Sequence, residues 1–212
     1  MSIQDLAFER GAAPDPGPYE PEPGGQPTVA APEVPPTNRI GLAQIVHALA
    51  ADGDRVWEPQ DWLGLAAPLL ACGAGWPAVA DLAAVPGDSA IVAAVARLER
   101  QVAVDLGDED RLPFWDVVAG LIARAWRLGV GGSVWDAVTQ LGAHWWDLRG
   151  DPQGRHPSGV VAFNCASWLY ELAAFQDIDP HMTVLLCETE RLLPPYSVTA
   201  SFCAAAVSAL RD

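Results

Sequence analysis

Four side chains able to ligate a metal fall within thirteen residues: His144, Asp147, Asp151 and His156, inside the stretch GAHWWDLRGDPQGRH (142–156). On a helix, His144 and Asp147 lie three apart on one face and could reach the same ion. Asp151 and His156 would join them from the loop that follows. Two imidazoles and two carboxylates would suffice for iron or zinc. The same letters also read as punctuation. Arg149 suits the last turn of a helix, Gly150 ends it, and Asp151-Pro152 is ordinary turn chemistry. Helical carboxylate metal sites draw Glu-x-x-His pairs from several helices. No such pair occurs here.

Other chemistries find less support. Ser158, Ser167, Ser197 and Ser201 lack a GxSxG context, and Cys165 has no local base. GVGG (129–132) precedes a capped helix and could cradle an anion, but it lacks the lysine and spacing of a P-loop. DLGDED (105–110) gathers four acids without the alternating ligands and closing Glu of a calcium loop. His47 and His181 read as helix-surface or core histidines. The tripeptide Arg149-Gly150-Asp151 would speak of adhesion only in a secreted protein. No catalytic residue, cofactor or metal is therefore expected. The cluster His144, Asp147, Asp151 and His156 stands as the alternative, a helical enzyme or small-ligand binder.

The tryptophans carry a different signal. Nine of them, at 57, 62, 76, 115, 126, 135, 145, 146 and 168, are too many to bury without acceptors for their N–H groups. Trp145 and Trp146 are adjacent, so on a helix they point about 100° apart. If one faces the core, the other faces a rim or groove. Tryptophan and arginine are frequent interface anchors, so Trp145, Trp146 and Arg149 are the expected partner-binding residues on the body. The competing reading is that the large rings fill an alanine-rich core.

Composition narrows the class. The chain has 212 residues, half of them apolar, with only 18% charged. Its net charge is −15; residues 1–37 contribute −5 and residues 38–212 contribute −10. All twelve basic residues are arginine, which with the abundant Ala, Gly and Pro points to a GC-rich coding sequence. So acidic a surface repels phosphate backbones, and nucleic acid is not an expected partner. A protein partner with a basic surface, or one within a larger assembly, fits better. The four cysteines (72, 165, 187, 203) form no CxxC pair and sit among apolar neighbours, as buried thiols of a reducing cytosol would. MSIQDLAFER has no apolar signal core, so a cytoplasmic location is expected. Residues 62–80 are uncharged, but two prolines and three glycines interrupt them. They are read as two short helices about a glycine turn rather than a membrane span.

Residues 11–37 include nine prolines and can form neither helix nor ladder. A disordered arm is expected over 1–37, with a reach on the order of 80 Å when extended. Ile3, Leu6 and Phe8 near its tip make a short apolar docking peptide on a tether.

From residue 38 to 212 the hydrophobic period is helical almost throughout. About nine helices are expected, as an irregular bundle or a short stack of helix hairpins. Thr37 or Asn38 caps the first, and Pro59 opens the second, which Pro68 kinks or splits. Pro77 opens the third. Asp88 and Ser89 cap a fourth with a stripe of Ile91, Val92, Val95, Leu98 and Val102. Pro113 opens a helix that stops at Gly129, and Ser133 caps one that stops at Gly150. Ser158 caps another, and helices near 181–193 and 197–211 complete the set. The expected function is a non-enzymatic interaction module: an adaptor, an immunity-type inhibitor or an assembly factor.

Overall fold

Asn38 opens the first helix and ties it to the loop before the last one. Its Oδ1 accepts from Gly41 N–H at 2.8 Å, which is an N-cap bond. Its own backbone N–H donates to Tyr196 O at 3.1 Å, and its Nδ2 donates to Pro195 O at 3.1 Å. The computed structural model describes residues 38–52, 57–84, 87–107, 110–148, 166 and 179–210, with side chains described except at 144–148 and 179.

The described residues include eight helices with defined bounds: α1 (Arg39–Asp52), α2 (Asp61–Ala71), α3 (Pro77–Leu82), α4 (Asp88–Asp105), α5 (Phe114–Arg127), α6 (Val134–Leu148), α7 (Asp179–Glu190) and α8 (Ala200–Ala209). The described residues contain no strand, so the all-α expectation holds. The helix expected after Ser158 lies outside the described residues except at Ala166, which is helical and fully buried. The arm, residues 1–37, lies outside them too.

α5 is the central element. It packs against α1, α6, α7 and α8, and every residue from Phe114 to Ala125 is buried. A helix apolar on nearly all sides has no solvent face to present, and FWDVVAGLIARA fits that description with two charged exceptions. One of its glycines is required by close approach. A Cβ at Gly120 would lie 2.5 Å from Cγ of the buried Leu193. The loop after α7 therefore rests directly on the α5 backbone. α4 packs against α1 and α3.

Several local expectations hold. The uncharged stretch 62–80 is α2, a turn and α3, and no helix among the described residues is long and apolar enough to cross a membrane. Pro77 is the first residue of α3. Gly129 ends α5 at φ +72°, a conformation that glycine adopts without steric cost. Ser133 caps α6 reciprocally, as in a capping box. Its N–H donates to Asp136 Oδ2 at 2.7 Å, and Asp136 N–H donates to Ser133 Oγ at 3.2 Å.

Others are corrected. α2 begins at Asp61, two residues after Pro59, because Glu58 to Asp61 closes a tight turn. Asp61 N–H donates to Glu58 O, and Glu58 N–H to Asp61 Oδ2. α2 runs unbroken through Pro68. The carbonyl that loses its donor belongs to Gly64, an exposed residue within reach of water. α4 starts at Asp88 itself, with Gly87 as N-cap and no side-chain cap. Its buried stripe is Ile91, Ala94, Leu98 and Val102, while Val92 is 56% exposed. That line faces α1 and α3, the two helices on which α4 packs most extensively. Cys72 and Cys203 are buried as expected, but Cys187 is exposed. α7 buries Met182, Leu186, Thr189 and Glu190, which turns position 187 outward.

Candidate functional site

The tryptophans sort by burial. Trp57, Trp62 and Trp115 are core residues, each 7% exposed or less, so the core-filling reading is right for them. Trp76 is half-buried and donates its Nε1–H to Asp105 Oδ2 at 2.8 Å, which gives the first acid of DLGDED, at the end of α4, a structural role. Trp135 is exposed. The α6 backbone carries positions 145 and 146, but the side chains of His144, Trp145, Trp146 and Asp147 lie outside the described residues. So do Arg149, Asp151 and His156, and so do Ile3, Leu6 and Phe8. Among the described residues no group of three or more His, Cys, Asp or Glu side chains converges to hold a metal.

The described residues instead form a recess that no local spacing in the sequence announces. It lies where the end of α1, the start of α2 and the outer side of α4 meet. Trp57 and Trp62 form its floor, with ring centroids 5.2 Å apart at 82°. That is an edge-to-face pair, the arrangement the ring quadrupoles favour. Ala50 and Ala51 from α1 line it, together with Pro59, and from α4 Ile91, Val92, Val95 and Ala96. Its volume is about 220 Å³, and Glu99 is its one charged lining group. Trp57 Nε1 is buried with no hydrogen-bond partner among the described residues. The recess is thus apolar, aromatic-floored and open on the Val92 side.

His47, on α1, is also buried. Its pKa lies below the ordinary 6.5, first because burial disfavours the imidazolium and then because Arg111 repels it; Glu99 and Asp52 act the other way. The unfolded chain therefore binds the proton more readily. This contribution to stability is whole above about pH 6.5 and is lost as pH falls from there toward the lower folded value. His47→Gln should flatten the loss of urea midpoint between about pH 7 and about pH 5. An unchanged profile would mean that another group sets the acid limb.

A second and larger recess, about 510 Å³, lies at the C-terminal ends of α5 and α7. The buried Glu190 stands between two arginines of α5. Its Oε1 lies 2.7 Å from Arg124 Nε; the N–H is not aligned for a hydrogen bond, so the contact is an ion pair. Its Oε2 accepts from Arg127 Nη1. Arg124 Nη1 also donates to Pro194 O at 3.3 Å. Arg191 lines the same recess and donates Nη1 to both oxygens of Glu188 at 2.8 and 2.7 Å. None of these residues stands out by local spacing. The available signal is weak: Arg124 is one of few charges in the mostly apolar α5, while α7 carries Asp179 and Glu188 besides Glu190.

Comparison with protein-family models, with curated proteins and with solved structures finds no match for this chain.

Proposed function

We propose that the chain is a non-enzymatic protein-interaction module of a reducing cytosol, whose body takes an apolar anchor of a protein partner in the Trp57–Trp62 recess. The observation that carries this reading is an open apolar recess over an edge-to-face tryptophan pair, with the exposed Val92 at its lip. Exposed apolar side chains around a rigid aromatic floor are the composition of a binding hot spot. A floor already held by core packing loses little further entropy on association. Glu99 beside the recess and the net −10 of residues 38–212 favour a partner with basic residues flanking its anchor. The arm with Ile3, Leu6 and Phe8, and the surface around Trp145, Trp146 and Arg149, are assigned secondary contacts of the same partner class.

Affinity purification from the native host, followed by partner identification, tests the reading when run with two matched variants. Val92→Glu puts a charge on the lip of the recess. Val104→Glu puts the same charge on the same helix away from the recess, at a site 84% exposed. A stoichiometric partner should be lost with the first and kept with the second. Equal recovery with both would end the proposal for this recess. Deleting residues 1–37 should weaken recovery without abolishing it.

A further inference from the structure

The recess at the ends of α5 and α7 is positively charged in a strongly acidic protein. Among its lining residues are three arginines, 124, 127 and 191, and one acid, Glu190. Glu188, which pairs with Arg191, brings the local balance to +1, against −15 for the whole chain. Glu190 is committed: each of its oxygens already has an arginine. The guanidinium of Arg124 is buried and engaged with Glu190 and Pro194. The other two arginines keep open donors. Arg127 and Arg191 have side chains 63% and 73% exposed, and each uses only Nη1 among the described residues. Their Nε–H and Nη2–H groups remain, and these are the donors that make a planar fork for an oxyanion.

The rest of the wall is apolar. Leu128, Leu193, Pro195 and Val198 line it, with the ring of Tyr196. Tyr196 is 77% exposed and has φ +54°. Such a backbone conformation costs a non-glycine residue about 1–3 kcal/mol. The loop is held there from several directions. Asn38 N–H donates to Tyr196 O, Asn38 Nδ2 to Pro195 O, and Ser197 Oγ to Pro194 O at 2.7 Å. An exposed aromatic ring is thus fixed beside a basic recess by a strained but well-anchored loop.

We propose that this recess binds an organic oxyanion, a carboxylate or phosphate carried on an apolar or aromatic body, with the anion on the outer N–H groups of Arg127 and Arg191 and the body against Tyr196, Leu128 and Val198. Glu190 belongs to the site as its inner counter-ion. It fixes Arg127 by one nitrogen and leaves the remaining edge for the ligand. The volume is about 510 Å³, within the range of small-molecule sites. This site is separate from the tryptophan recess and does not depend on the function proposed for that recess.

Isothermal titration of the full chain with acetate, benzoate, inorganic phosphate and phenyl phosphate tests it. About 0.15 M sodium chloride screens the distant acids. Benzoate and phenyl phosphate should bind more tightly than acetate and inorganic phosphate, because only they reach the apolar wall. The tighter of the two identifies the head group. Arg191→Ala, which breaks only an exposed pair with Glu188, should weaken binding about tenfold or more, the loss of one charge-assisted bond. Arg127→Ala should do the same, and Arg127→Lys should rescue it only in part because lysine lacks the fork. Arg97→Ala, an exposed arginine paired with Asp81 elsewhere, should change nothing. No heat with any probe at millimolar concentration overturns the proposal. So does binding that survives both Arg127→Ala and Arg191→Ala, or benzoate binding no better than acetate.

Discussion

Replacing Glu190 with alanine is expected to lower the stability of the folded chain by about 3–5 kcal/mol, the cost of leaving a buried charge without its partner. The stranded group is Arg124, whose side chain is 10% exposed. A guanidinium cannot shed its proton to escape. The exposed Arg127 would simply turn to water and adds little. For a domain of this size the melting temperature should fall by roughly 6–20 °C. Glu188→Ala is the control. That acid is exposed, and its partner Arg191 lies three residues along on the surface. Its loss should cost under about 1 kcal/mol. A sharper outcome follows for the double variant Arg124→Met with Glu190→Leu. Removing both buried charges also removes both desolvation costs, so most of the lost stability should return. Urea denaturation of the parent chain and these three variants measures all of this. A cost below about 1 kcal/mol for Glu190→Ala would show that water reaches the clamp.

That clamp illustrates what the sequence could and could not disclose. Local features are legible because their physics is local. Asn38 and Ser133 can be recognised as caps from residue type and the residues three further on. Gly129 can be recognised as a stop, and the uncharged run 62–80 as two helices because of its prolines and glycines. Arg124 and Arg127, by contrast, look like cations placed to meet a helix C-terminus. Their partner Glu190 stands 63 residues beyond Arg127, and no periodicity links the two. The helix α4 shows an intermediate case. Its period is visible, yet the buried line runs through Ala94 rather than Val92. Hydrophobicity ranks valine above alanine, but which face of α4 meets α1 and α3 is decided by tertiary packing, which buries Ala94 and leaves Val92 exposed. That rotation turns Val92 outward, and Val92 with the buried tryptophan pair makes the recess. The recess is therefore hidden for the same reason that the stripe is misplaced. Of the candidate residues that spacing does single out, His144 and Asp147 are placed on α6 by their backbone alone, and Asp151, His156 and the arm lie outside the described residues.

The tryptophan pair carries the second large effect. Trp62 is buried in the core. Trp62→Ala should cost about 3–5 kcal/mol, since its helical surroundings cannot close the cavity left by the ring. Trp62→Phe keeps an aromatic ring against Trp57 and should cost far less. Trp57→Phe separates ring packing from the polar handle. The indole N–H of Trp57 has no acceptor among the described residues. Burying such a donor costs about 1–3 kcal/mol. Deleting it offsets much of the lost ring area, so Trp57→Phe should remain within about 1 kcal/mol of the parent chain. The urea midpoints of these three variants read the difference directly. If Trp57→Phe proved as costly as Trp62→Ala, the N–H would have to be satisfied, and the floor of the recess would be a polar anchor rather than a purely apolar one. If the change is mild, then a donor is being kept buried to the detriment of stability, directly beneath the surface proposed to receive a partner. Because that N–H is closed to solvent, a partner seated in the recess would meet apolar side chains and not the nitrogen. Partner affinity should accordingly be kept in Trp57→Phe, and a loss of affinity without a loss of stability would show that the cover over the indole N–H opens on binding.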